Sequence, residues 1–283
     1  MGSRSGAALA LALMLLLAGC GGAAAGDRGG PVLRIAAAAD LRFALEEVLT
    51  AYRDAHPEVG VRVSYGSSGT LFSQLENEAP FDVYLSADVS YPERLASEGL
   101  VAPEGVFTYA VGRIVVWVPD GSPIDVERLG LRALFDPVVR TVAIANPEHA
   151  PYGRAAVAAM RSAGVYGRVE DRLVLGENVA QAAQFVQTGA ADIGIIPLSL
   201  ALAPGAGGRW SEIPADAHPP IVQGGAPSPG IEFYLSELLL RRGRYDDAIA
   251  RAQGMLKANP EFAPARAVLG LAYLGKADAA RAA

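Results

Sequence analysis

Short strand patterns alternate with longer amphipathic helix patterns along most of this chain, and that alternation limits the fold more than any other feature. Residues 32–36 and 61–65 have strand character, and residues 41–52 between them carry apolar side chains at helical spacing. A second helix pattern opens within 66–69 and runs to about residue 77, and 81–85 is again strand-like. Such alternation predicts an α/β fold with helices packed on a largely parallel sheet.

The alternation stops once and then restarts, which predicts two lobes. Residues 107–118 (FTYAVGRIVVWV) form one long β-rich run and are a candidate crossover between the lobes. Strand and helix patterns then resume from 141, and a strand at 219–223 is expected to return to the first lobe. Hinges are expected near 109–112 and 217–219. Ligands of such folds bind beyond the carboxyl ends of strands, beside helix N-termini.

The N-terminus predicts export. Arg4 precedes an uncharged apolar run at 7–17, which is too short for a membrane-spanning helix and is typical of a signal peptide. The run ends at Leu17-Ala18-Gly19-Cys20, which resembles the bacterial lipobox and implies lipidation of Cys20. The alternative is an ordinary signal peptide with a chance cysteine. Cys20 is the only cysteine, so no internal disulfide can form.

Charge and motifs exclude several classes of function. The formal net charge of −6 argues against binding to nucleic acid or to an anionic membrane surface, but not against a small anion held by local dipoles. The chain contains no nucleophile elbow, phosphate-binding loop or dinucleotide fingerprint. His56, His149 and His218 are far apart and lack the spacing of metal ligands. We therefore predict no enzyme activity, no cofactor and no metal cation.

Three loops that open helices are candidate anion sites. Ser67 and Ser68 place hydroxyls at a helix start, Tyr152 lies next to another, and Val179 begins a third. Free N–H groups at helix N-termini attract anions without lysine or arginine. The alternatives are plain N-capping for the two serines and core packing for Tyr152.

These loops also carry a family resemblance. Residues 32–223 are similar to the molybdate-binding proteins (ModA) of ABC importers, through stretches that occur in the same order. That resemblance implies a type II periplasmic-binding-protein fold and a tetrahedral oxyanion held by neutral hydrogen bonds. The matching stretches are AAAADLRFALEEV, YGSSGTL, APFDVYLSAD, FTYAVGRIVVW, ANPEHAPYG, ENVAQA and GAADIGII.

The resemblance also implies which residues contact the ligand. Ser68 matches a serine contact of the family, Tyr152 a tyrosine hydroxyl, and Val179 a backbone N–H donor, with Ser67 beside Ser68 in the same loop. The first-loop contacts fall on Ala39 and Asp40, where the family usually has Ser, Thr or Asn. Ala39 lacks a hydroxyl. Asp40 would repel a dianion unless its carboxylate points away, and it could instead cap the helix predicted from Leu41.

The C-terminal stretch differs from the rest of the chain. From residue 231 onward, two helical patterns flank Gly243-Arg244-Tyr245, and Pro260 closes the second. Together with Leu269-Gly270 and Tyr273 they resemble one tetratricopeptide repeat plus the first helix of another. The alternative is an unrelated helical hairpin. A single repeat does not hold itself together, so we expect this tail to lean on the first lobe or to be partly mobile.

The sequence thus predicts a two-lobed α/β periplasmic-binding-protein fold of type II with a short α-helical C-terminal extension. The expected function is capture of molybdate or tungstate outside the cytoplasm by a lipid-anchored monomer, which delivers it to an ABC permease. The alternatives are a protein-interaction lipoprotein with a degenerate site, a binder of another oxyanion such as sulfate, and a hydrolase or transferase built on the same layers. The expected boundaries are signal peptide and lipobox 1–20, tether 21–30, lobe I 31–109, lobe II 110–217, return to lobe I 218–230 and tail 231–283.

Overall fold

A computed structural model of the protein describes residues 32–101, 103–228, 236, 239–258 and 260–282. The predicted signal peptide, lipobox and tether, with Cys20, lie outside the described residues. So does part of the predicted first tail helix. In the described part the strands are β1 (Val32–Ala38), β2 (Gly60–Gly66), β3 (Val83–Ser86), β4 (Phe107–Gly112), β5 (Ile114–Val118), β6 (Val142–Ala145), β7 (Leu173–Gly176), β8 (Ile193–Pro197), β9 (Arg209–Glu212) and β10 (Ile221–Pro227).

The helices lie between these strands and after them. Short 3-10 turns complete several loops, and the turn at Ala39–Leu41 leads directly from β1 into the first helix. The α-helices are α1 (Arg42–Ala55), α2 (Ser68–Glu76), α3 (Ser90–Ser97), α4 (Val126–Leu129), α5 (Pro151–Ser162), α6 (Val179–Gln187), α7 (Leu198–Ala201), α8 (Tyr245–Ala258) and α9 (Ala263–Ala282).

Each lobe is built on one five-stranded mixed sheet. The first sheet has the order β2-β1-β3-β10-β4, and the second has the order β7-β6-β8-β5-β9. β1 runs parallel to β2 and β3, whereas β10 is antiparallel to β3 and β4. In the second sheet β6 is parallel to β7 and β8, and β5 is antiparallel to β8 and β9. The predicted two-lobed type II fold is confirmed.

The polypeptide passes between the sheets twice. The predicted β-rich run is two strands, because β4 belongs to the first sheet and β5 to the second, with the passage at Arg113. The Arg113 guanidinium is bonded to the Glu212 carboxylate at the end of β9. The second passage joins β9 to β10, which re-enters the first sheet between β3 and β4. These two connections lie next to the predicted hinges at 109–112 and 217–219, which stay a prediction.

The second lobe has the larger core. β5 (IVVWV) and β8 (IGIIP) are buried along their whole length, as expected for central strands covered by helices on both faces. Trp117 is fully buried, and its indole N–H donates to the carbonyl of Gly207 at 3.1 Å. This rigid core fixes the carboxyl ends of β6 and β8, from which the loops toward the other lobe emerge.

Most predicted elements are confirmed within a few residues, with one local correction near the first loop. The helix expected from Leu41 begins at Arg42, after the 3-10 turn, and no side chain caps it. Asp40 therefore does not cap this helix. β9 and the short helices α4 and α7 were not predicted, because segments of four residues carry too little periodicity.

The tail forms a helical pair that touches the first lobe. α8 and α9 share a small core of Ala252, Met255, Ala265 and Val268. Lys257 on α8 lies 3.6 Å from Glu104 in the first lobe, which agrees with the expectation that the tail leans on that lobe. The tetratricopeptide resemblance stays a prediction, since a helical pair is common to many folds.

Gly153 offers a test of how tightly α5 is set against β6. A Cβ at Gly153 would lie 2.1 Å from the carbonyl oxygen of Ala145, so the helix would have to move. We expect Gly153→Ala to lower the free energy of unfolding by about 1–3 kcal/mol, as overpacking does. Urea unfolding followed by circular dichroism measures it.

The matched control is Gly167→Ala, because a Cβ there meets nothing within 4 Å. Equal stability of the two variants would show that α5 can shift freely and would contradict the tight contact.

Candidate functional site

Several helix N-termini meet in the cleft between the lobes. The 3-10 turn Ala39–Leu41 of the first lobe packs against α6 of the second. The N–H of Gly69, in the first turn of α2, donates to the carbonyl of His149 at 2.9 Å, just before α5. The first-turn N–H groups of a helix lack partners within the helix, and they carry the positive end of its dipole. The cleft therefore gathers donors suited to an anion.

Asp40 lies at the centre of this cleft and is almost fully buried. Its Oδ2 accepts hydrogen bonds from the Tyr152 hydroxyl at 3.0 Å and from Gln223 Nε2 at 2.8 Å. Gln223 Nε2 also lies 2.6 Å from the Tyr152 hydroxyl oxygen, which closes the cluster. Oδ1 of Asp40 has no hydrogen-bond partner in the described part of the chain. The carboxyl group points into the cleft, so its direction does not remove the repulsion of a dianion that an ionised Asp40 would cause.

The Asp40 cluster, which comprises Asp40, Tyr152 and Gln223, ties the two lobes together. Asp40 lies just after β1 and Gln223 lies in β10, so both belong to the first lobe. Tyr152 is in the first turn of α5, in the second lobe. A Cβ at Gly112 would lie 2.4 Å from the Tyr152 hydroxyl oxygen. Glycine at the end of β4 is therefore what lets the phenol reach the carboxyl group.

The two serines have different tasks. Ser67 caps α2, because its Oγ accepts from the N–H of Thr70 at 3.3 Å and donates to the Thr70 hydroxyl at 2.7 Å. The Oγ of Ser68 accepts from the N–H of Ala87 at 2.9 Å, and its carbonyl accepts from the Tyr84 hydroxyl at 2.7 Å. Ser68 is fully buried, and its hydroxyl proton is still available for an acceptor in the cleft.

Val179 and Ala39 complete the cleft from opposite lobes. Val179 is the first residue of α6, and Asn178 caps that helix by accepting from the N–H groups of Ala180 and Gln181. The Val179 N–H has no acceptor within the helix. Ala39, Tyr152 and Val179 are buried in one apolar cluster, so the structure brings these predicted residues together.

Additional contacts hold the lobes closed around this cleft. The Ser199 hydroxyl, on α7, donates to the backbone carbonyl of Asp40 at 2.9 Å. Arg154 lies 2.6 Å from the Asp88 carboxylate across the rim. The ion pair is partly exposed and worth only about 0–1 kcal/mol. The buried hydrogen bonds and the apolar cluster therefore contribute more to closure than the rim charges.

Burial sets the protonation of the cluster. Desolvation raises the pKa of Asp40 from its ordinary value of 3.8, and the hydrogen bonds from Gln223 and Tyr152 oppose that rise only in part. Burial also raises the pKa of Tyr152 and of Tyr109, whose hydroxyl donates to the Ser86 carbonyl at 2.8 Å. The phenols therefore remain neutral donors, and the carboxyl group is the member of the cluster that titrates.

The arrangement does not form a nucleophile–base pair. The Ser68 hydroxyl accepts from Ala87, whereas the His149 ring lies 3.1 Å from the carbonyl of Glu177. The described residues also contain no group of three or more His, Cys, Asp or Glu side chains placed to hold a metal ion. Nothing in the described cleft supports the hydrolase alternative.

Sequence reasoning missed Gln223 and Ser199. Gln223 lies within a strand that was correctly predicted, but a glutamine in an apolar strand gave no sign of its partners. A buried amide in such a strand is unusual enough to have been a usable signal. Ser199 lies in a helix of four residues that follows a buried strand. Its hydrogen bond to the Asp40 carbonyl crosses between the lobes, so the sequence gives no sign of it.

Two mixed sheets, two connections and a buried cleft of helix N-termini define a type II periplasmic-binding-protein fold. The model of the family "bacterial extracellular solute-binding protein" matches residues 33–230. The molybdate-binding protein ModA of Rhodobacter capsulatus is 36% identical over 201 residues, which cover 71% of this chain and 73% of that protein. This chain therefore belongs to the ModA-like family of extracellular solute-binding proteins, which are transport proteins that act outside the cytoplasm.

Two further relatives support this family assignment. The periplasmic molybdate-binding protein of Azotobacter vinelandii superposes with a TM-score of 0.64 and 28% identity, over 85% of this chain and 97% of that one. The putative ABC transporter substrate-binding lipoprotein YvgL of Bacillus subtilis is 29% identical over 75% of this chain and 81% of that protein. Within the described ranges, no helix combines the length and hydrophobicity needed to cross a bilayer.

The raised pKa of Asp40 predicts how stability depends on pH. A carboxyl group with a raised folded-state pKa stabilises the protein fully below its unfolded-state pKa, near 3.8, and loses that contribution as the pH rises toward the folded-state value. We expect Asp40→Asn to match the native protein at about pH 4 and to have the larger free energy of unfolding at about pH 8, because only the native protein loses stability as its carboxyl group ionises. Urea unfolding of the ligand-free protein at both pH values measures this.

The control is Asp54→Asn, which makes the same change of charge at an exposed position of α1. If both variants gain equally at the higher pH, net charge rather than burial explains the effect, and the assignment to Asp40 is wrong.

Proposed function

We propose that this protein captures molybdate in the cleft between its lobes and presents it to the permease of an ABC importer. The observation that carries the proposal is that Tyr152 and the turns at Ala39 and Val179 are buried in one apolar cluster. Ser68 is buried at the start of α2, whose Gly69 N–H bonds to His149 of the other lobe. Hydroxyl and N–H donors of this kind surround a dianion without a cationic side chain. The relatives named above as molybdate-binding proteins support the choice of ligand.

The ligand contacts we propose follow from the geometry of the cleft. Ser68 donates through its hydroxyl, and Tyr152 turns toward the anion the single hydroxyl proton that it donates to Asp40 in the ligand-free cleft. Ala39, Asp40 and Val179 donate through backbone N–H groups. Ser67 acts indirectly, because its hydroxyl is engaged in capping α2 and thereby fixes Ser68. The donors come from both lobes, so a bound anion stabilises the closed arrangement by mass action.

Selectivity in this proposal rests on size. Molybdate, tungstate and sulfate carry the same charge and have the same tetrahedral shape. A cleft of fixed donors fitted to the larger ions leaves sulfate with longer hydrogen bonds. Titration calorimetry should therefore give tight binding of molybdate and tungstate and weak binding of sulfate. No heat with any of the three, from folded protein, would contradict the proposed function.

Tyr152 offers a direct test of the site. Tyr152→Phe removes the one hydroxyl proton that Tyr152 can donate to Asp40 or to the anion, while the apolar ring is kept. A hydrogen bond to a charged group is worth roughly 1.5–3 kcal/mol, so we expect the Kd for molybdate to rise roughly tenfold to hundredfold. Calorimetric titration measures the change.

Tyr166→Phe is the matched control, since Tyr166 lies on a surface turn of the second lobe, where Arg161 stacks on its ring. Unchanged affinity of Tyr152→Phe would remove Tyr152 from the proposed ligand contacts.

We further propose that Cys20 carries a lipid anchor and that the protein acts as an anchored monomer. The signal-like run before Cys20 supports this, as does the similarity to YvgL, a relative named as a lipoprotein. Several acyl chains on one terminus would anchor firmly, because each buried methylene contributes about 0.8 kcal/mol.

In a bacterial host, Cys20→Ala should abolish incorporation of labelled fatty acid and move the protein from the membrane fraction to the soluble fraction. Gly22→Ala, just beyond the cysteine, is the control and should behave like the native protein. Labelling that persists in Cys20→Ala would contradict the anchor, and it leaves the proposed ligand site untouched.

A further inference from the structure

Asp40 places an acidic group in a loop where the family resemblance implies Ser, Thr or Asn, and one of its two carboxyl oxygens lacks a hydrogen-bond partner among the described residues. Oδ2 is saturated by Tyr152 and Gln223, whereas Oδ1 is buried without a hydrogen-bond partner among the described residues. A buried polar atom without a partner destabilises the folded protein. An unpartnered oxygen at the centre of an anion cleft points to a partner supplied by the ligand.

An ionised carboxylate cannot be that partner for a dianion. Two negative groups at hydrogen-bond distance, shielded from water, would repel each other strongly. One proton between the carboxyl oxygen and an anion oxygen converts the repulsion into a hydrogen bond to a charged acceptor, which is short and strong. Molybdate is fully deprotonated at neutral pH, so the proton has to reside on Asp40.

The geometry points to Asp40 as a ligand-binding and specificity-determining residue that binds the oxyanion as a neutral acid, by donating its Oδ1 proton to an anion oxygen. This assignment rests on the proposed function and adds to it that anion binding takes up one proton from solvent at every pH at which Asp40 is ionised in the free protein. The site would then favour anions with a strong acceptor oxygen, and its affinity would fall as the pH rises.

Among the groups that face one another in the cleft, Asp40 is the one that changes its protonation state. The segments α6 (VAQAAQFVQ), α7 (LSLA) and β10 (IVQGGAP) carry no ionisable side chain. From α5 the facing group is Tyr152, and from β4 it is Tyr109; both phenols have a raised pKa through burial and stay protonated.

The charged side chains of the neighbouring helices are engaged elsewhere. Arg154 of α5 pairs with Asp88 at 2.6 Å. Arg42 of α1 lies over the ring of Tyr65, with its Cζ 5.5 Å from the ring centroid. Arg161, at the other end of α5, lies over the ring of Tyr166. A pH dependence of binding on the alkaline side is therefore assigned to Asp40.

The experiment is calorimetric titration of the full soluble chain with molybdate from about pH 6 to about pH 9, in two buffers of different ionisation enthalpy. The native protein should lose affinity roughly tenfold per pH unit on the alkaline side, and the buffer dependence should report uptake of one proton. Asp40→Asn carries a permanent donor, so its affinity should be independent of pH, with no proton uptake. Asp54→Asn should retain the pH dependence of the native protein.

Each other outcome overturns the inference in a recognisable way. If the affinity of the native protein for molybdate does not change with pH, Asp40 does not donate a proton to the anion. The proposed binding of molybdate would still stand. Tighter binding of hydrogen phosphate than of molybdate, lost in Asp40→Asn, would show that an ionised Asp40 accepts a proton carried by the ligand. Binding by Asp40→Asn alone would show that the native carboxylate blocks the site. No binding by either protein would instead overturn the proposed function itself.

Discussion

The hydrogen bonds among Asp40, Tyr152 and Gln223 join the two lobes through buried polar groups that come from both. Tyr152 stands at the start of α5, and Gln223 lies in the strand that returns to the first sheet, so the cluster couples both lobes and one of the two connections. Gly112 has no side chain to block the Tyr152 hydroxyl, and Gly153 lets α5 pack closely against β6. Together these glycines allow the phenol to reach the carboxyl group.

A site of this kind binds an anion through dipoles rather than through formal positive charge. The chain is acidic overall, and the arginine beside the cleft is paired with Asp88 at the rim. Helix N-termini offer fixed N–H donors that need no counter-ion and little reorganisation when the lobes close. Because the other donors of such a site are neutral, the charge state of the buried Asp40 carboxyl has a large effect on any bound anion.

The C-terminal helical pair contacts the protein at a different place from the cleft. The family match ends at residue 230, and the helical pair α8 and α9 meets the first lobe near Glu104, away from the Asp40 cluster. Its helices follow the predicted periodicity because Ala252, Met255, Ala265 and Val268 pack together locally. Binding in the cleft and any role of the tail can therefore be tested independently.

The sequence by itself determined the fold class and the loops that form the cleft. Periods of two and of 3.6 residues are local properties, so most strands and the longer helices were readable, and Ser68, Tyr152 and Val179 were correctly expected at the starts of helices. Only the tertiary structure decided the direction of the Asp40 side chain and the part played by Gln223. Asp40 is separated from Tyr152 by 112 positions and from Gln223 by 183, and no local pattern records such partners. The Asp40 carboxyl turns into the cleft because its hydrogen-bond donors are there, and those donors come together only when the two lobes are folded and closed.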